Sequence, residues 1–289
     1  MAHRTIQKAW AVAVTEWGKW LRNPRMMIAL MLVIVARTLA VVPLAERTEQ
    51  SGLPMNLFEP MIAVGNSGML VMLLPAVFLI LMSDFPVLES NSLLYLSRTG
   101  KRAWFWGQIL FAGMSVLTYL GGIFLLVTLS AFGNTEYSLS WSEATRTFIA
   151  RNPEKADSFL AELLPSNLYN QLTLPQAFFY TFTLLALYLF LLCMILLMFT
   201  MLKRRTIGVL SAYGVLLCGV ITCAVRLKSM WLFPMANTII WLHYTEILRK
   251  PVYPILNSYL YLGILTAIVL LMNRILLHKM EFEQTEVLT

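Results

Sequence analysis

Several windows of this chain stay apolar for longer than the roughly 18 residues that a helix needs to cross a bilayer core. Backbone in hydrocarbon has to satisfy its own N–H and C=O groups, so each such run reads as a helix. Mean hydropathy is +0.70, and 58% hydrophobic against 13% charged residues puts the chain well outside the soluble range. The fold class expected is an all-α polytopic membrane protein, with six spans at 26–44, 60–82, 103–132, 174–202, 207–225 and 253–277.

The formal charge of +7 would suit a polyanionic partner if the bases were scattered or gathered in one patch. Instead the Lys and Arg residues cluster at the ends of the apolar runs, where they orient spans, and nucleic acid is not expected as a partner. With both termini on the cytoplasmic side, the basic turns at 98–102 and 203–205 fall inside and the acidic loops at 46–59 and 136–162 fall outside. Arg226, Lys228, Arg249 and Lys250 break the rule by falling outside. A seventh span over 229–248 would change that count, but Pro234, Asn237, His243 and Glu246 interrupt it. Charged residues at mid-bilayer cost about 2.5 to 3.5 kcal/mol each on insertion scales, so a re-entrant helix-break-helix is expected there.

Residues 1–23 form an amphipathic helix. Arg4, Lys8, Thr15, Lys19 and Arg22 share one face, and Ile6, Trp10, Val14, Trp17 and Leu21 share the opposite one, the pattern of a helix lying in the membrane interface. No compact apolar core with a small-residue cleavage site precedes the first span, which is expected to serve as its own insertion signal. Pro24 suits the first turn of that span, and Arg37 in its outer half is expected to snorkel. In the second span Pro75 is the expected kink, with Gly65 and Gly68 allowing close helix contact. In the long outer loop at 133–173, Asn152-Pro153 reads as a helix start. Ala156, Phe159, Leu160, Leu163 and Leu164 then make one apolar stripe, which suggests a small helical hairpin.

The chemistry-bearing motifs are missing. There is no GxxxxGK[ST] to cradle phosphates, no HExxH, no GxSxG, and no intramembrane carboxylate pair, because Glu59 and Asp84 stand at span ends. Cys193, Cys218 and Cys223 lie inside expected spans as small apolar packing residues, and His243 beside Glu246 is too little for a metal or catalytic site. The expectation is a non-catalytic chain with no cofactor and no metal of its own, whose non-protein partner is membrane lipid.

The polar segment at 84–102 lies between the second and third spans. Asp84 and Glu89 precede Ser97-Arg98-Thr99-Gly100-Lys101-Arg102, and Trp104 and Trp106-Gly107-Gln108 follow at the start of the next span. Ser83 or Asp84 can cap a helix with Pro86 in its first turn, and the basic end suits an acidic partner. On these residues the chain resembles the permease subunits of type 2 ABC exporters, the group that includes drug, antibiotic, peptide and polysaccharide exporters. The interfacial N-terminal helix, the break at Pro234 and the basic tail closing on Met280-Glu281-Phe282 add to the resemblance. It covers nearly the whole chain in layout, and most specifically Ser97 to Gln108.

The resemblance implies a half-transporter in a bacterial cytoplasmic membrane. It would pair with a second copy or a related permease above two cytoplasmic ABC ATPase subunits that bind ATP-Mg. Carried over by position, Asp84, Glu89, Leu93, Leu94, Ser97, Arg98 and Lys101 become ATPase-docking residues on a coupling helix. Asn66, Ser67, Ser115, Thr118 and Asn257 are candidates to line a path for a hydrophobic or amphipathic substrate, and equally candidates for interhelical hydrogen bonds. Two readings of other classes stay open: an ion-coupled secondary transporter, and a membrane peptide sensor or immunity protein that moves nothing.

Overall fold

A computed structural model describes residues 2–86, 99–133, 135–155, 158–245 and 251–279. Among the described residues five helices are long and apolar enough to cross a membrane, and two shorter helices joined at a sharp bend make a further apolar pair. In chain order they are preceded by α1 (Ala2–Leu21). Next come α2 (Met26–Ser51), which passes through a π-helical turn at Arg37–Val41, the bent pair α3 (Glu59–Asn66) and α4 (Gly68–Leu81), and α5 (Lys101–Ser130). A capping module then holds α6 (Glu143–Arg151), a 3-10 turn at Pro153–Lys155, α7 (Phe159–Leu163) and α8 (Ser166–Tyr169). The bundle closes with α9 (Leu174–Met201), α10 (Arg205–Ala224) and α11 (Ile255–Lys279). Two short parallel strands, β1 (Met55–Asn56) and β2 (Thr135–Glu136), tie the module to the chain before α3.

The bundle is built around α9. Thr173 and Gln176 form a reciprocal capping box at its start, with Pro175 in the first turn. Its buried residues face several neighbours at once: Leu184, Leu185, Tyr188, Leu189 and Leu192 are sealed from solvent. It packs on α3, α5, α10 and α11. Asn273 of α11 donates to the Met194 carbonyl across one of these seams at 3.0 Å. Close approach is made possible by glycine where the seam is tightest. A Cβ on Gly65 would lie 2.1 Å from Thr181 Cγ2 of α9, whereas one on Gly68 would meet nothing within 4 Å, so only the first of the two expected contact glycines acts as one.

The bend between α3 and α4, where the second span was expected, departs from expectation. Pro75 sits inside α4 without ending it, and the chain instead turns by 79° at Ser67, which is extended (φ −68°, ψ 128°). The local sequence accounts for this, because Gly65-Asn66-Ser67-Gly68 concentrates poor helix formers, and Asn and Ser compete for backbone hydrogen bonds.

The segments expected on the outer side also differ in detail. Residues 228–243 form three 3-10 turns (Lys228–Leu232, Ala236–Thr238 and Ile240–His243), not two helices around a break. The 133–173 loop is a strand and a series of short helical pieces, not a hairpin. Its stripe is split because α7 ends at Leu163; Leu163 and Leu164 are buried while Phe159 is exposed. Ala156, the Leu160 side chain and the tail from Met280 lie outside what is described.

Helix α1 packs along α5 through only part of its expected apolar face. Ala9, Val12, Ala13 and Trp20 are buried, while Ile6, Trp10 and Val14 are exposed. Small side chains win the contact because Gly107 brings the two helices together: a Cβ there would lie 2.7 Å from Val12 Cβ and 3.0 Å from the Ala9 carbonyl oxygen. Trp17 and Leu21 of the expected apolar face pack on the core at its C-terminal half, while Ile6, Trp10 and Val14 leave an apolar surface uncovered at its N-terminal half. Trp17 Nε1 donates to Thr118 Oγ1 (3.0 Å) and Trp20 Nε1 to the Leu81 carbonyl (3.3 Å), which fixes the helix at its C-terminal half. Gly107→Leu is expected to overpack this seam and cost about 1–3 kcal/mol. Gly113→Leu on the same helix points a side chain into open space and should cost less. Thermal midpoints of the two variants in the same detergent check this.

Candidate functional site

Three clusters of polar side chains hold the bundle at its ends and at its bend. The first is centred on Asp84, just past the end of α4. Its carboxylate takes Arg25 on one oxygen and Arg205 on the other, joining the starts of α2 and α10. Arg25 also donates to Ser83 Oγ (2.8 Å), and Arg205 donates through Nε and Nη2 to the Ser83 carbonyl (3.1 and 2.8 Å). Together with Trp20 on the Leu81 carbonyl, this clasp draws four helices to one point. Its three charged side chains are all about two-fifths exposed, so each pair contributes only about 0.2–1 kcal/mol and responds to salt.

Asp84, a docking candidate, carries two ion pairs, and the helix it was expected to cap lies outside the described residues. Lys101, also a docking candidate, is exposed at the first turn of α5, after Gly100 in a left-handed conformation (φ 83°). Glu89, Leu93, Leu94, Ser97 and Arg98 lie outside the described residues. Sequence reasoning missed Arg25 and Arg205, since both had been absorbed into the general rule that bases flank spans. The turn before Arg205 is as tight as its charge run suggested: Lys203 is left-handed (φ 56°), and a Cβ on Gly208 would lie 2.6 Å from Phe199 Cβ across it.

The second cluster repairs the break at Ser67. Asn66 Nδ2 donates to the Ile62 carbonyl and to Thr181 Oγ1 of α9, both at 2.9 Å. Its Oδ1 accepts from Ile240 N and its main-chain carbonyl accepts from Trp241 Nε1, again at 2.9 Å. The last two donors come from the 3-10 turns at 228–243, which are thus the element that completes the interrupted helix. A second network fastens those turns to α11. His243 Nδ1 lies 3.0 and 3.2 Å from the Ile239 and Ile240 carbonyls, which puts a hydrogen on that nitrogen. His243 Nε2 is 2.8 Å from Ser258 Oγ, which is itself 2.9 Å from Asn237 Oδ1, and Asn237 Nδ2 donates to the Trp231 and Phe233 carbonyls. Burial pushes the His243 imidazole down to about 4, against the pull of its two carbonyls.

The third cluster, at the far end of the bundle from the clasp, fastens the capping module. Glu59 is fully buried at the start of α3; Oε1 accepts from Ser142 N (2.8 Å), and Oε2 from Ser142 Oγ (2.9 Å) and Asn56 N (3.2 Å). Ser142 in turn caps α6 by accepting from Thr145 N at 3.2 Å. Asn56 Nδ2 donates to the Ser138 and Ser140 carbonyls, and Asn167 Nδ2 of α8 donates to the Trp241 and Tyr244 carbonyls. The module is therefore bonded both to α3 and to the 3-10 turns. Glu59 was read from sequence as a span-end charge; that it accepts three hydrogen bonds while sealed from water was not visible there.

The path candidates are not brought together. Asn66 and Ser67 sit at the bend, buried and bonded as above. Ser115 is buried in α5, Thr118 of the same helix accepts from Trp17, and Asn257 is exposed on α11. Among the described residues no group of three His, Cys, Asp or Glu side chains is placed to hold a metal ion. Comparison with family models, with curated proteins and with solved structures finds no match for this chain.

Two outcomes are expected. Asn66→Ala removes the acceptor for Ile240 N in a buried site and should lower stability by about 1–3 kcal/mol, measured as a fall in thermal midpoint. His243 binds a proton less readily folded than unfolded, so its contribution is complete above pH 6.5 and is lost as pH falls toward 4. The midpoint in detergent should therefore drop between pH 7 and pH 5, and the drop should shrink in His243→Gln.

Proposed function

We propose that this chain is the membrane-spanning subunit of an ABC exporter, driven by a separate ATPase subunit and moving a hydrophobic or amphipathic substrate. The observation that carries the reading is the Asp84 clasp. It stands at the first residue of the 84–102 segment, the resemblance-based docking element, and it ties the end of α4 to the starts of α2 and α10. A force applied at that segment would reach three crossings at once. The bend supports the same reading, since α4 leads to the clasp and α3 leads to the module, with Ser67 between them as the joint. Closure of the ATPases would pull the clasp, swing α4 against α3 and alternate the openings of the bundle at its two ends.

In this reading the clasp end is cytoplasmic and the module end external, in a bacterial cytoplasmic membrane. The exposed apolar faces of α10 and α11, including Leu210, Leu217, Ile221, Leu260, Ile264 and Ile268, would be shared between lipid and a second permease, identical or related. ATP-Mg belongs to the partner subunit, and this chain is non-catalytic.

A pull-down from mild detergent of the tagged chain, expressed with its native neighbours, tests the proposal. Wild type is expected to carry an ATPase subunit, Glu89→Lys combined with Arg98→Glu is expected to lose it, and Arg205→Gln is expected to keep it. Retention by the double variant would move the docking surface elsewhere. Absence of an ATPase from wild type would overturn the proposal in favour of an ion-coupled transporter or a non-transporting sensor.

A further inference from the structure

The last turns of α2 and helix α6 of the module enclose a cleft of about 90 Å³. Drug-sized ligands occupy pockets of about 300 Å³ or more, so this one suits a single small group and not the cargo of a transporter. Arg47, Gln50, Thr147, Phe148, Arg151 and Asn152 are among the residues that line it, and none of its lining residues is acidic. Arg47 is 3% exposed, its guanidinium lies 4.4 Å above the Phe148 ring, and its Nε and Nη2 donate to no described residue. Those two nitrogens form one edge of the guanidinium, the parallel pair of donors that takes two oxygens of one anion. Glu59 is the carboxylate whose charge Arg47 feels, but both Glu59 oxygens are already bonded to Ser142 and Asn56. Leaving charged donors unmade in a buried place is costly, and an arriving oxyanion would relieve it.

From this geometry we infer that the cleft between α2 and α6 binds a phosphate oxyanion, held by Arg47 from within and Arg151 at the rim. Carboxylate and phosphate both suit such donors; position favours phosphate. Arg47 stands two residues past the apolar part of α2, which ends at Leu44 and Ala45 and is followed by Glu46, so the cleft stands at the level where a bilayer begins to present phosphate. The source is then a lipid headgroup or free phosphate, with the same chemistry. Binding would cross-link α2 to the module, and the inference does not depend on the transporter reading.

The test is the thermal midpoint of the full chain in a lipid-free glucoside detergent, followed by tryptophan fluorescence. Inorganic phosphate is compared with sodium chloride at equal ionic strength, and micelles containing a short-chain phosphatidylglycerol with micelles that lack it. A midpoint that rises and saturates with inorganic phosphate identifies the free anion, and a rise with the phospholipid alone identifies the headgroup. In either case Arg151→Gln, which removes an exposed side chain and should fold normally, is expected to weaken the response about tenfold. Arg47→Met is expected to abolish it. The inference is overturned if neither phosphate source exceeds its control, or if Arg151→Gln responds as wild type does.

Discussion

A helix can be broken inside an apolar bundle only if the groups it frees find partners there, and the rest of this structure depends on how that is done at Ser67. The freed carbonyl of Asn66 takes the Trp241 indole, its side-chain oxygen takes Ile240 N, and its amide nitrogen bridges to Thr181. Two of these bonds go to the turn at Ile240–His243 and the third to α9, so the bend depends on both of them. Conversely, the 3-10 turns, which are too short and irregular to be stable in hydrocarbon alone, are held because Asn66 and the His243–Ser258–Asn237 network accept and donate where they need it.

The two halves of the bent pair are anchored by different physics. At the far end of α3, Glu59 is sealed from water and accepts three hydrogen bonds, an arrangement in which losing one partner would leave a buried charge short of compensation. At the far end of α4, Asp84 meets two arginines in partial contact with solvent, where each pair is weak and screened.

Much of this was legible in one dimension. The hydropathy runs located α5, α9, α10 and α11 to within about two residues, because in a membrane the length and composition of a helix are set by the solvent around it and not by its neighbours. Pro75 was misread as the kink because proline is the strongest local signal for one. The Gly65–Gly68 stretch was the better signal, but its propensity is weak and was decided by Trp241, 174 residues or more along the chain from the bend. The docking face of α1 was not legible for a related reason: amphipathicity identifies the side that prefers apolar surroundings, without distinguishing lipid from protein. Gly107, on another helix, decided which.

By itself, the sequence determined that the chain is a helical membrane protein, where its crossings lie and which side chains flank them, since each of these follows from residue-by-residue transfer between water and hydrocarbon. Tertiary structure decided what the flanking charges do. Arg25, Asp84 and Arg205 are distant in the chain and read alike as span-end residues, and only their meeting makes a clasp. Glu59 and Arg47 read as outer-loop charges, and only burial against the module separates a satisfied carboxylate from a guanidinium with donors to spare. Pairing is a property of distance and dielectric, and neither exists until the helices are packed.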